Sequence, residues 1–210
     1  MRYDPDKHHR KSIRLKGYDY SQEGAYFVTI CTQNRVCLFG DIVDGQMVLN
    51  DAGYMVEKWF LELENKFPDI RCDGYIIMPN HFHCIVVNVG ADLRVCPDNG
   101  QSHRIAPTIM GEHTGGEHTG SPLRRVIQWL KTMTTNGYIR GVKQHGWPRF
   151  DGRLWQRNYW EHIIRNDNEL NRIRQYIIDN PAKWESDRNY IDNSSAVRAR
   201  RAVLNESWMV

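Results

Sequence analysis

Residues 74–89 read Gly-Tyr-Ile-Ile-Met-Pro-Asn-His-Phe-His-Cys-Ile-Val-Val-Asn-Val. Two apolar, β-type runs, Gly74 to Met78 and Phe82 to Val89, flank Pro79-Asn80, which is the turn chemistry of an antiparallel connection. Upstream, Ala25 to Thr32 (AYFVTICT) reads as a buried strand, and Gln46 to Leu49 as a short strand after the turn-like Asp44-Gly45. From Asn50 or Asp51, either a good N-cap, Met55, Val56, Trp59, Phe60 and Leu63 recur at helical spacing until Pro68.

Downstream, Ser121-Pro122 opens a second amphipathic helix through Val126, Ile127, Leu130 and Met133, with Arg124, Arg125 and Lys131 on its polar face. Leu154 to Ile164 is compatible with a strand, and Asn166 or Asp167 caps a third helix through Leu170, Ile173, Tyr176 and Ile177 toward Pro181. Strands and helices mixed without a strict βαβ rhythm predict an α+β fold, an antiparallel sheet with helices on one or both faces.

From about Gly90 to Ser121 the composition turns to Gly, Asp, Pro and Ser, and GEHTG at 111–115 is repeated directly at 116–120. This predicts a flexible insertion, and its His113 and His118 are assigned no role. One domain over 1–185 with an insertion at about 90–121, then a tail over 186–210, is the expected organisation. The chain of 210 residues has no apolar run long enough to span a bilayer and no apolar signal core near Met1, so a cytoplasmic location without a membrane partner is expected. Five cysteines, an odd number with no CxxC pair, argue against a disulfide framework or a zinc ribbon.

The net charge is only +3, but it is segregated. Between Pro122 and Arg165 nine basic residues face two acidic ones, and the first 16 residues carry six against two. Such clustering suits a polyanion, with Arg10, Lys11, Arg14, Lys16, Arg124, Arg125, Lys131 and Arg157 as candidate contacts, although charge alone is equally compatible with ordinary solvated faces.

Alternate residues of a strand share a face, so His81 and His83 point the same way with Cα atoms ~6.6 Å apart and two imidazoles can converge on one divalent ion. A pair of hydrogen-bonded histidines satisfies the same pattern. Tyr176 and Asn180, four apart, share a helix face, where Tyr176 is either a nucleophile or one more member of an apolar stripe. Pro181 is expected to push Asn180 away from helical geometry.

The ordered set of His81-Phe82-His83, Trp155-Gln-Arg157 with Trp160-Glu-His162, and Tyr176-Ile-Ile-Asp-Asn180-Pro181 resembles the HUH single-tyrosine transposases, most of all the REP-associated, IS200-like branch. Arg14-Leu-Lys-Gly-Tyr18-Asp-Tyr20 and Tyr26-Phe-Val-Thr-Ile30 resemble it too, so the likeness spans roughly residues 10 to 185 outside the insertion. The resemblance implies a ferredoxin-like core, His81, His83 and Asn180 as metal ligands, and Tyr176 as the nucleophile. It further implies DNA transposition or recombination on single-stranded, hairpin or palindromic DNA through a 5′-phosphotyrosine.

Two imidazoles and one amide oxygen would leave several coordination positions open, which favours Mg²⁺ or Mn²⁺, although nitrogen ligands also accept Zn²⁺ or Ni²⁺. A non-cleaving hairpin-binding regulator on the same fold is the alternative, and monomer and homodimer are both open. A water-activating phosphoesterase would need carboxylates, and Asn80 to Val89 contains none. A histidine-triad hydrolase would need a further histidine where Ile85 stands.

Overall fold

Apolar residues at almost every position of the two innermost strands require cover on both faces, and the architecture supplies it. The computed structural model describes residues 23–90 and 122–191. The N-terminal basic arm with Arg10, Lys11, Arg14 and Lys16, the tandem repeat, and the chain beyond Ile191 lie outside the described residues.

Strand β1 (Gly24–Cys31) pairs antiparallel with β5 (His81–Asn88) on one side and β6 (Trp160–Ile164) on the other, and β4 (Ile70–Met78) pairs with the far edge of β5. The resulting order, β4-β5-β1-β6, is the split-βαβ arrangement of ferredoxin-like α+β folds. A separate hairpin, β2 (Gly40–Val43) and β3 (Gln46–Leu49), precedes α1 (Asp51–Leu61) and the short α2 (Leu63–Lys66). Helix α3 (Pro122–His145) follows β5, and α4 (Asp167–Asp179) follows β6.

The two-residue period of β1 and β5 divides the core. Tyr26, Val28, Ile30, Phe82, Cys84 and Val86 pack with residues of α1 and α3. Ala25, Phe27 and Ile85 pack with Leu170 and Ile177 of α4. His81, His83 and Thr29 share the parity of this second set and therefore face α4. Helices α1 and α4 start where expected: Asn50 Oδ1 accepts from Gly53 N at 3.0 Å, and Asn166 Oδ1 from Glu169 N at 2.9 Å.

Three local features differ from the sequence reading. The hairpin partner β2 was not expected; Asp44 and Gly45 both adopt positive φ (51° and 72°), the geometry of a tight hairpin turn, but alternate residues of both strands are solvated, so the apolar signal is weak. The helix expected to run unbroken to Pro68 divides at Glu62. The strand expected over Leu154 to Ile164 is regular only from Trp160; Trp155 makes an isolated bridge to Thr32, and Gln156 N donates to the Cys31 carbonyl at 2.9 Å.

Strand β4 carries an irregularity between Cys72 and Tyr75, and Asp73 at that bulge receives Arg174 of α4 through both carboxylate oxygens, at 2.8 and 2.5 Å. The Arg174 hydrogen bond holds the Asp73 carboxyl below its ordinary value against partial burial. Because the folded pKa is the lower one, the stabilisation is complete above the unfolded value near ~3.9 and is lost as pH falls through the folded value. With Arg174 42% exposed, solvent screening limits the pair to about 1 kcal/mol. Asp73→Asn is expected to lower the thermal midpoint by roughly 2–4 °C at neutral pH, with the difference shrinking in acid. A deficit that stays constant down to pH ~2 would rule out this ion pair as its cause.

Candidate active site

Asn80 fixes the protonation of the first histidine. Its Nδ2 donates to the carbonyls of Arg35 (2.9 Å) and Asn189 (2.8 Å), two pure acceptors, so its Oδ1 is the atom turned to His81 Nδ1 at 2.9 Å. His81 Nδ1 must therefore donate, which leaves the Nε2 lone pair pointing into the site. His83 is anchored from its other side by Thr29, whose Oγ1 lies 2.8 Å from Nδ1. The two Nε2 atoms are 3.0 Å apart, and both rings are almost wholly buried. Burial holds His81 down to about 4 and His83 well below its ordinary value, so both imidazoles are neutral at physiological pH.

Helix α4 brings Tyr176 and Asn180 over this pair. Tyr176 Oη lies 3.5 Å from His83 Nε2, its ring meets those of His83 and Phe27 edge-on at 5.4 and 5.9 Å, and the residue stays 43% exposed. Burial raises the phenol above its ordinary pKa, and Asn180 opposes that shift. Asn180 is 3% exposed and influences His81 as well, yet its buried Oδ1 has no hydrogen-bond partner.

The expectation that Pro181 displaces Asn180 from helical geometry is corrected: Asn180 is αR (φ −58°, ψ −44°). The chain passes directly into a 3-10 turn, Pro181–Ser186, whose first position suits a residue without an N–H, and Lys183 N donates to Asn180 O. That turn also returns Asp187 to the site. One ligand atom from each of His81, His83 and Asp187 lies within 4.8 Å of the others. Two imidazoles, a carboxylate and an orphaned amide oxygen together suit a divalent cation.

The structure thus brings His81, His83, Tyr176 and Asn180 together, and adds Asn80, Thr29 and Asp187. Asn80 carries only a turn signal in the sequence, and Asp187 falls beyond the last motif. The candidate contacts Arg124, Lys131 and Arg157 line an open groove of about 1010 Å³ between α3 and residues 150–161, whereas Arg125 is exposed on α3 outside that lining. Lys131 Nζ donates to the carbonyls of Gln156 (2.6 Å) and Arg157 (3.2 Å), so it fastens that segment to α3.

No protein-family model matches the chain. It is 37% identical over 194 residues to a Haemophilus influenzae protein described as uncharacterized, covering 91% of this chain and 98% of that one. It is 24% identical over 168 residues, covering 79% and 74%, to a second Haemophilus influenzae protein described as "Putative REP-associated tyrosine transposase". Over most of its length the chain is thus similar to a protein described as a REP-associated tyrosine transposase. Two solved structures are similar at TM-scores of 0.46 and 0.40: a REP-associated tyrosine transposase bound to a REP hairpin (17% identity, 81% of this chain, 74% of that one) and a "putative transposase" of Deinococcus radiodurans (14%, 79% and 97%).

The Thr29–His83 contact yields a separable prediction. Thr29→Val keeps the shape but leaves the buried His83 Nδ1 without a partner, at a cost of about 1–3 kcal/mol. Thr29→Ser keeps the hydroxyl and is expected to retain most of the stability. Urea unfolding compares them; a valine variant as stable as the wild type would show that the hydroxyl does not hold the ring.

Proposed function

We propose that this protein is a REP-associated tyrosine transposase, a metal-dependent single-stranded DNA endonuclease and strand transferase that acts on palindromic, hairpin-forming DNA with Tyr176 as nucleophile. The observation that carries the reading is the Tyr176 hydroxyl held 3.5 Å from His83, above two neutral imidazoles whose Nε2 atoms converge. His81, His83 and Asn180 would hold the cation, and Asp187 would add a hard oxygen donor that favours Mg²⁺ or Mn²⁺. When bound, such a cation supplies charge neutralisation and activation of the scissile phosphate.

The chain's own residues supply orientation. Phe27 and His83 grip the Tyr176 ring edge-on, so the phenolic oxygen is presented with little rotational freedom. The phenol is neutral at rest and gives up its proton at the open side of the site as its oxygen bonds to phosphorus. The bond from phosphorus to the 3′-oxygen breaks, that oxygen takes up a proton, and a 5′-phosphotyrosine remains. Since the phosphodiester is exchanged and not hydrolysed, another 3′-hydroxyl can reverse the step and join a different strand.

Tyr176 is favoured over the other tyrosines of this half. Tyr138 is fully buried with its hydroxyl given to the Pro148 carbonyl, and Tyr159 packs with the core on the α3 side of the sheet. Tyr190 sits edge-on to Trp184. The DNA would be held by the basic arm, Arg10, Lys11, Arg14 and Lys16, with Arg124, Arg125, Lys131 and Arg157 as further contacts.

Tyr176→Phe removes one hydroxyl from a half-exposed ring, so folding and hairpin binding are expected to survive while the SDS-resistant protein–DNA adduct disappears. A persisting adduct, or peptide mapping of the wild-type adduct to Tyr159, would put the wrong residue at the centre. Absence of any adduct with intact hairpin binding would favour a non-cleaving regulator. Metal removal by EDTA is expected to abolish the adduct without abolishing binding, as are His81→Ala and His83→Ala where those variants fold; undiminished cleavage in chelator would exclude the metal assignment. Hairpin affinity should fall steeply with salt, and a salt-insensitive complex would exclude the phosphate contacts.

A further inference from the structure

Strand β6 is an edge of the four-stranded sheet, and edges are normally guarded by charge or proline, not by a large aromatic. Yet Trp160 stands at its start, 39% exposed. Its register opposite Thr29 puts its side chain on the α4 face, the face that carries His83 and Tyr176. The ring is not loose. It meets Phe27 edge-on at 5.7 Å and lies parallel to His162 (5.9 Å, 5°), and His162 is held by Glu169 at 2.7 Å. Phe27 is also the ring that touches Tyr176 and His83, so Trp160 is one aromatic contact removed from the nucleophile. Arg157 and Arg165, both exposed, flank it along the chain.

A pre-oriented, half-exposed indole on the face that carries Tyr176, in a segment with two exposed arginines, has the chemistry of a base-stacking platform. We propose that Trp160 stacks on an unpaired nucleobase next to the scissile phosphate, and so sets which phosphodiester Tyr176 reaches. Trp160 is a positioning residue under this proposal, which rests on the strand-transfer reading above. Every base offers a π-face, so the contact requires an unpaired nucleotide and tolerates its identity. It thereby demands single-stranded character at the cleavage position, while the rest of the hairpin can remain duplex.

The experiment measures binding of the full chain, in EDTA, to a fluorescein-labelled hairpin oligonucleotide with single-stranded flanks. Abasic sites are placed one at a time along the flanks. Trp160→Ala is expected to weaken binding about tenfold, within the range one base–aromatic stack supports, and Trp160→Phe to recover most of it. One abasic position should cost the wild type a similar factor and cost Trp160→Ala nothing further. With metal present, the same variant should spread cleavage over neighbouring phosphates, a change that mere loss of packing would not produce. Independent losses at every abasic position, or Trp160→Ala binding and cleaving as the wild type does, would overturn the platform. The two proposals fail separately: an adduct without Trp160–base coupling removes this one alone, and coupling without any adduct leaves Trp160 as a single-strand contact on a protein that does not cleave.

Discussion

The fully buried Asn80 side chain is the junction on which the rest depends. Within one residue it donates to the chain after β1 through the Arg35 carbonyl and to the C-terminal return through the Asn189 carbonyl, and it accepts from His81. Its own carbonyl accepts from both the backbone and the hydroxyl of Thr32, and that of the preceding Pro79 accepts from Leu38 and Phe39. A buried amide must satisfy all its hydrogen-bonding groups or incur a desolvation penalty, so the turn between β4 and β5 can close only when these segments are in place. The same requirement selects the tautomer of His81. The contacts that close the turn are thus the ones that set the position of the His81 proton.

A second constraint comes from the sheet being covered on both sides. The α3 side is packed with Tyr26, Phe82 and other large apolar residues, and it holds the strands rigidly in register. The α4 side has a smaller apolar cluster, centred on Phe27, Ile85 and Ile177, and reserves the end nearest the Pro79-Asn80 turn for polar groups. A rigid sheet therefore presents the histidines, and one helix, tied to β4 by Asp73 and Arg174, presents the phenol.

Much of this was legible in the sequence because it follows from periodicity. The strands containing Phe27 and His83, the helix containing Tyr176, and the shared face of the two histidines all rest on repeat distances that any strand or helix obeys. What was illegible depends on contacts between distant segments. Asn80 looks like any turn residue until its partners Arg35 and Asn189 are known. Asp187 lies in a segment without apolar pattern, and only the 3-10 turn after Asn180 folds it back against His81 and His83. Asn180 itself was misread locally, because the preference of a residue before proline was outweighed by the helix continuing into that turn. A domain boundary drawn at 185 from motif positions would cut between Asn180 and Asp187, through the cluster itself.

Strand β5 separates the site from the most irregular part of the sequence. His81 stands at one end and Asn88 at the other, a separation on the order of 20 Å along an extended strand. Both histidines lie in the first turn-side residues of β5, where His81 pairs with Cys31 and His83 with Thr29, so their register is set by β1 and not by the length of the sequence that follows Asn88.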